Sequence, residues 1–166
     1  MRNIWIISDT HFNHSNILKF VDDKGENVRN FDSLQEMNET MIQNWNDVVR
    51  PGDIVYHLGD VFFGDQDWFK KTWPRLMGSK RLIVGNHDDV KFLACGGFFQ
   101  KVMMWRLFKE HNMLLTHVPV HESNIRKVEF NVHGHIHQQE SPTKRHVNVC
   151  VEKTLYTPIH IEDVLK

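Results

Sequence analysis

The stretch Asn131-Val132-His133-Gly134-His135-Ile136-His137 places three imidazoles within five residues of one another. Neutral imidazole is the commonest metal ligand in proteins. In an extended segment residues i and i+2 share a face, so His135 and His137 are expected to point the same way, with Gly134 letting the backbone bend just before them. Four other stretches follow one plan, an apolar run and then a residue fit to bind a divalent ion. They are Ile4 to Ile7 before Ser8-Asp9-Thr10-His11, Ile54 to Tyr56 before His57-Leu58-Gly59-Asp60, Leu82 to Val84 before Gly85-Asn86-His87-Asp88, and Met113 to Leu115 before Thr116-His117. Any one of these polar residues alone reads equally well as a turn former or a satisfied core histidine. Their repetition at the ends of apolar runs is what sets them apart.

The candidate ligands are therefore Asp9, His11, Asp60, Asn86, His117, His135 and His137. They are too many for one tetrahedral zinc. A mixture of carboxylate, amide oxygen and imidazole suits two adjacent ions of intermediate softness, manganese first, with iron, zinc or nickel as alternatives. Two neighbouring ions favour a bridging carboxylate, and Asp60, midway through the set, is the natural bridge. The chain offers no evident Ser or Cys nucleophile with a helper base. His57, His111, His121, His146 and His160 fit no ligand position and read as structural or solvated, while His133 is open to a supporting role.

The elements that must position these residues can be read from periodicity. Short β-branched or leucine-rich runs read as buried strands, and open α/β sheets build their sites beyond strand ends, so five strand ends are expected to converge on one cleft. Leu34, Met37, Met41, Ile42, Trp45, Val48 and Val49 form the stripe of an amphipathic helix, with Ser33 and Glu36 as a capping box and Pro51-Gly52 as the stop. Trp68 to Leu76 predicts a second helix, bent or shortened at Pro74 and closed at Gly78, and Val90 to Cys95 a helical turn or two. Lys101 to Leu107, Met113 to Thr116, Val128 to Val132 and His146 to Val151 read as strands. Early strands alternate with helices and late ones follow each other directly, an order that suggests two packed sheets with helices outside.

Residues 12 to 32 form an excursion longer than the usual connection of about 2–6 residues, with only Ser15 to Phe20 suited to a short helix. Such a segment tends to be functional or mobile. Phe12, Asn13, His14 and Asn16 begin where Asp9 and His11 have just been delivered, which makes His14 a candidate contact to a metal-bound phosphate, against the alternative of an exposed residue beside a helix cap.

At 166 residues, with 40% hydrophobic and 25% charged residues, the chain is expected to be one globular domain spanning 1–166. A formal net charge of -1 with scattered Lys and Arg argues against an extended nucleic-acid track and leaves room for a small phosphate-bearing ligand, a nucleotide included. Cys95 and Cys150 match no zinc spacing. No secretion leader and no long apolar span is evident, so the simplest expectation is a cytoplasmic protein. The oligomeric state is not legible.

The order Asp-x-His, Gly-Asp, Gly-Asn-His-Asp, His, Gly-His-x-His over residues 4 to 137 resembles the calcineurin-like metallophosphoesterase superfamily, in its small single-domain branch. That resemblance implies a four-layer α/β/β/α sandwich of two mixed sheets flanked by helices. It also implies one ion held by Asp9, His11, Asp60 and His137 and another by Asp60, Asn86, His117 and His135. Hydroxide between the ions would attack phosphorus, His87 would protonate the departing alcohol, Asp88 would help orient His87, and Asn86 would also touch substrate. Monoesterase and diesterase activities are both compatible with the motifs. So is a non-catalytic binding scaffold, which loss of ligands would favour and which intact ligand positions disfavour.

Overall fold

The computed structural model describes residues 2–166. Two mixed β-sheets pack face to face. The first has five strands: β1 (Ile4–Ile7), β2 (Ile54–His57), β3 (Ser79–Ile83), β4 (Lys101–Met103) and β9 (Ile159–His160), in the order β4-β3-β2-β1-β9. The second has four: β5 (Trp105–Phe108), β6 (Met113–Thr116), β7 (Phe130–His133) and β8 (His146–Asn148), in that order. Alternation along the strands divides the core in two. Ile6, Tyr56 and Ile83 meet Phe108, Met113, Leu115 and Val132 between the sheets, while Ile7, Val55 and Leu82 face the helices.

Those helices are α1 (Leu34–Val48), α2 (Gln66–Thr72) and α3 (Val90–Cys95), all packed on the outer face of the first sheet through Met37, Met41, Trp45, Phe69 and Leu93. In α1 the Ser33 side chain accepts the Glu36 N–H, and the Glu36 carboxylate reaches back past the cap to the Asp32 N–H. The helix stops at Val48, and Val49 is already extended ahead of Pro51. At Pro74 the second helix has given way to a single 3-10 turn, Trp73–Arg75, because the proline ring cannot continue an α-helical hydrogen-bond pattern. Between the strands of the second sheet, helical structure among the described residues is limited to the 3-10 turns Lys109–His111 and Glu122–Asn124.

β1, β2 and β3 are mutually parallel, as are β6 and β7, so each group delivers its C-terminal ends to one edge. The expected strand from Lys101 to Leu107 is instead two strands in different sheets: β4 ends at Met103, β5 starts at Trp105, and the chain changes sheets at Met104. The face turned between the sheets passes from odd-numbered Met103 in β4 to even-numbered Phe108 in β5, and the mostly apolar run from Val102 to Leu107 does not mark where. The last strand pattern is also shorter than expected, ending at Asn148, after which Cys150 makes an isolated bridge to Ser8. The two-residue strand β9 gave no sequence signal.

Candidate metal centre

Beyond the ends of β1 and β2 the two chains keep pairing. Asp9 N–H donates to Gly59 O, His11 N–H to Asp60 O and Phe12 N–H to Val61 O, at 2.9–3.0 Å. The ladder is no longer β structure: Asp9, His11 and Asp60 all sit at positive φ, between 46° and 56°. Asp and His are among the residues that tolerate this left-handed region best, so the same residue types suit both the backbone and the chemistry.

From the second sheet, His117 follows β6, and His135 and His137 follow β7. His135 and His137 are also at positive φ, 72° and 50°, in a bend and not in extended chain. The expectation that they share a face is therefore wrong, and they serve different groups. Asp9, His11 and His137 form one cluster and Asp60, His117 and His135 a second, each with ligand atoms within 4.8 Å of one another. The chain bends just after Gly134, as expected, and the missing side chain also permits a close approach: a Cβ there would overlap Ser8 Oγ and Asp9 Oδ2. Its absence lets the β7 end press on the β1 end, and the His135 N–H donates to Asp9 Oδ2 at 2.8 Å.

Asp60 lies between the clusters. Its Oδ1 accepts the His87 N–H, and its Oδ2 faces His11 Nε2 at 3.6 Å and His117 Nε2 at 3.5 Å. Burial first, then the Asp9 and Asp88 carboxylates, raise the Asp60 pKa against the pull of His117 and the His87 N–H. Three acidic side chains so close lack charge balance among themselves. Asn86 adjoins the second cluster, with Oδ1 2.7 Å from His117 Nε2.

The orientation of the imidazoles is set from behind. His117 Nδ1 lies 2.8 Å from Leu58 O, which can only accept, so Nδ1 carries a proton and Nε2 is the nitrogen turned to Asn86 and Asp60. His137 Nδ1 donates to Glu152 Oε1 at 3.0 Å, and against the effect of burial this carboxylate raises the His137 pKa. Arg29 then locks Glu152 and the first ligand loop together: its Nε donates to Glu152, and its two terminal nitrogens to Asp9 O and Thr10 O. Burial lowers the His11 pKa to about 4, with Asp9 opposing, so this ring is neutral near pH 7. Ser8 Oγ, the His135 N–H and Cys150 Sγ occupy Asp9 Oδ2, but Asp9 Oδ1 and both ring nitrogens of His11 are buried without a hydrogen-bond partner. Buried carboxylate and imidazole atoms are rarely left so, and a cation bound here would take Asp9 Oδ1 and one of the two His11 nitrogens. The donor set fits divalent ions.

His87 is exposed at the mouth of the site, its ring 5.1 Å from that of Phe63 and 6.1 Å from that of His11. Asp88 does not bond to it. Its two oxygens accept the backbone N–H groups of Asp60, Val61 and Gly85, which ties the β2 and β3 ends together, so any effect on His87 passes through the backbone. His14 stacks on Phe63 at 4.0 Å and reaches the cleft beside His11. His57 is fully buried, accepts the Gly59 N–H at Nδ1, and contacts Thr10 Oγ1 through Nε2; burial takes its pKa down to about 3. His133 turns away to Gly134 O and Ser141. Arg29, Phe63 and Glu152 were not legible: each stands in sequence without periodic or motif context, and only the fold brings them to the ligands.

Residues 2–149 match the family described as calcineurin-like phosphoesterase. The chain belongs to that family. Among relatives, it is 35% identical over 175 residues to the uncharacterized protein MJ1445 of Methanocaldococcus jannaschii, covering all of this chain and 91% of that one. A partial match of 32% identity over 96 residues links it to the gene 66 protein of Mycobacterium phage L5, covering 53% of this chain and 41% of that one. Among solved structures, a protein of unknown function from Aquifex aeolicus, AQ665, superposes with a TM-score of 0.76 at 26% identity over 99% of this chain and 98% of that one. Within this phosphoesterase family the two clusters are candidate sites for divalent metal, and among the described residues no helix is long and apolar enough to cross a membrane.

Proposed function

We propose that the chain hydrolyses phosphate esters with two divalent ions, one held by Asp9, His11, Asp60 and His137 and the other by Asp60, Asn86, His117 and His135. The observation that carries this reading is Asp60 Oδ2, set between His11 and His117 at nearly equal distances while its other oxygen is occupied by the His87 N–H. Bound at these clusters, the ions would polarise the phosphoryl oxygens and lower the pKa of a water between them, which supplies the nucleophile.

The chain's own residues do the rest. Asp60 holds the two ligand groups at a fixed separation. Glu152 and Leu58 O keep the proton of His137 and His117 on the ring nitrogen away from the cleft. His87, exposed at the mouth and anchored through its backbone to Asp60, is placed to give a proton to the departing alkoxide. Asn86 and His14 would contact the phosphate oxygens. Manganese is the first choice of metal by ligand type, and both monoesters and diesters are within reach of this arrangement.

Metal content and turnover on nitrophenyl phosphate mono- and diesters test the reading. The wild type should bind two manganese ions and turn over at least one substrate, Asp60→Asn should lose activity more completely than Asn86→Ala, and His87→Ala should slow an alkyl ester about 10²–10⁴-fold while affecting a nitrophenyl ester far less. A single ion per chain with Asp60→Asn still active would overturn the dinuclear arrangement. Equal losses on both esters would make His87 a phosphate-positioning residue.

A further inference from the structure

The outer face of the second sheet carries a cavity of about 640 Å³ that no element of the metal centre explains. Its floor is built by strand pairing. In the β5–β6 register Trp105 lies opposite Thr116 and Leu107 opposite Leu114, and these residues alternate with Phe108, Met113 and Leu115, which fill the space between the sheets. Its wall is the segment from Val118 to Val120. The buried Asn131 clips that segment over the sheet, accepting the Val120 N–H and donating to Leu114 O and Thr116 Oγ1.

Three features say what this hollow takes. The volume lies within the range of about 300–1,000 Å³ typical of small-ligand sites. Its lining includes His117, a member of the second cluster, and Asn86, which adjoins that cluster, so a phosphate bound there would direct its organic substituent along the trough. The rim also includes Arg126 and Lys127, both exposed, which suit a ligand that is anionic overall. Trp105 at 60% and Val118 at 42% exposure leave apolar surface uncovered beside the metal ligands.

We propose that this trough is the substituent subsite, and that the substrates are phosphate esters of largely apolar alcohols, aryl or alkyl, in preference to sugar phosphates. The proposal rests on the phosphate-ester reading above and gives it a substrate class. Over the floor and wall, a polar sugar would set hydroxyls against Leu107, Leu114 and Val120, with polar partners limited to Thr116 and the rim residues Asn124, Arg126 and Lys127, whereas an alkyl or aromatic group gains burial with each carbon.

Alkylphosphonates, whose carbon–phosphorus bond a phosphoesterase does not cleave, separate the two readings. Their affinity for the manganese-loaded protein is measured by calorimetry from methyl to octyl. Full burial of a methylene is worth up to about fourfold; in a trough open to solvent about twofold per carbon is expected, on the order of 100-fold over the series. In the double variant Trp105→Ser, Val118→Ser, both positions being exposed and tolerant of change, the gain from methyl to octyl should shrink to severalfold. A flat series in the wild type, with methylphosphonate bound, overturns the subsite and leaves the hydrolase standing. A steep series that persists in metal-free protein keeps the apolar trough but removes its link to phosphate at the metals. A steep series unchanged in the double variant places the chain elsewhere and also overturns the proposal.

Discussion

Single residues set the working geometry, and the informative ones stand behind the ligands. Glu152 contacts both Arg29 and His137, and its remaining oxygen is buried without a partner. Glu152→Gln preserves the shape but weakens the hold on the His137 proton, so metal affinity at the first cluster should fall about 10–100-fold with the fold intact, measured by metal titration and circular dichroism. His14, half-buried against Phe63, is expected to contact the substrate: His14→Ala should raise KM severalfold at unchanged metal occupancy, with a smaller change in kcat. Unaltered kinetics or a lost ion would remove it from that role. At this scale the sequence pointed to the residues that gather in the two clusters, because Asp and His at the ends of apolar runs advertise themselves. It was a poor guide to their supports. A glutamate fifteen residues beyond His137 and an arginine in an unpatterned loop carry no local mark, and the left-handed backbone at Asp9, His11 and His137 is invisible to a rule built on extended chain.

At the scale of elements, boundaries followed local chemistry wherever local chemistry decided them. Ser33 caps α1 as its sequence required, and Ser33→Ala should cost about 1 kcal/mol in denaturant unfolding. The split between β4 and β5 is not legible in the sequence because which sheet a strand joins is a tertiary choice, made here at Met104 within a mostly apolar run. β3 carries a different consequence. Burial pushes the Lys80 ammonium down to about 8, although it donates to Leu76 O and lies 5.5 Å from the Trp73 ring centroid. The folded value lies below that of the unfolded chain, near 10.4, so between these limits the unfolded chain holds more protons and stability rises with pH. Unfolding free energy should therefore increase by roughly 1–3 kcal/mol from pH 8 to pH 10.5 relative to Lys80→Met, which lacks this contribution. A difference independent of pH over that window would contradict the burial argument.

For the molecule as a whole, each cluster draws on both sheets: Asp9, His11 and Asp60 come from the first, and His117, His135 and His137 from the second. Ions bound there join the sheets at one edge, so they stabilise the folded chain by mass action. At about 100 times the dissociation constant one ion contributes about 2.7 kcal/mol, and Tm should rise by roughly 5–10 °C on adding manganese and fall again with chelator. No shift would mean that the clusters do not bind in the folded state. Five residues of the two clusters, Asp9, His11, Asp60, His135 and His137, are held at positive φ. At roughly 1 kcal/mol each, their combined cost is a sizeable part of a domain's usual net stability of about 5–15 kcal/mol. The ions recover that cost only when present. A cell short of the metal would thus hold not merely an idle form of the protein but a shorter-lived one, because a larger fraction of chains opens to proteases. Abundance, and not activity alone, would then report the metal supply, and exposed His135→Gly, which relieves one such position, should lengthen the lifetime of the metal-free chain under protease while weakening its second cluster.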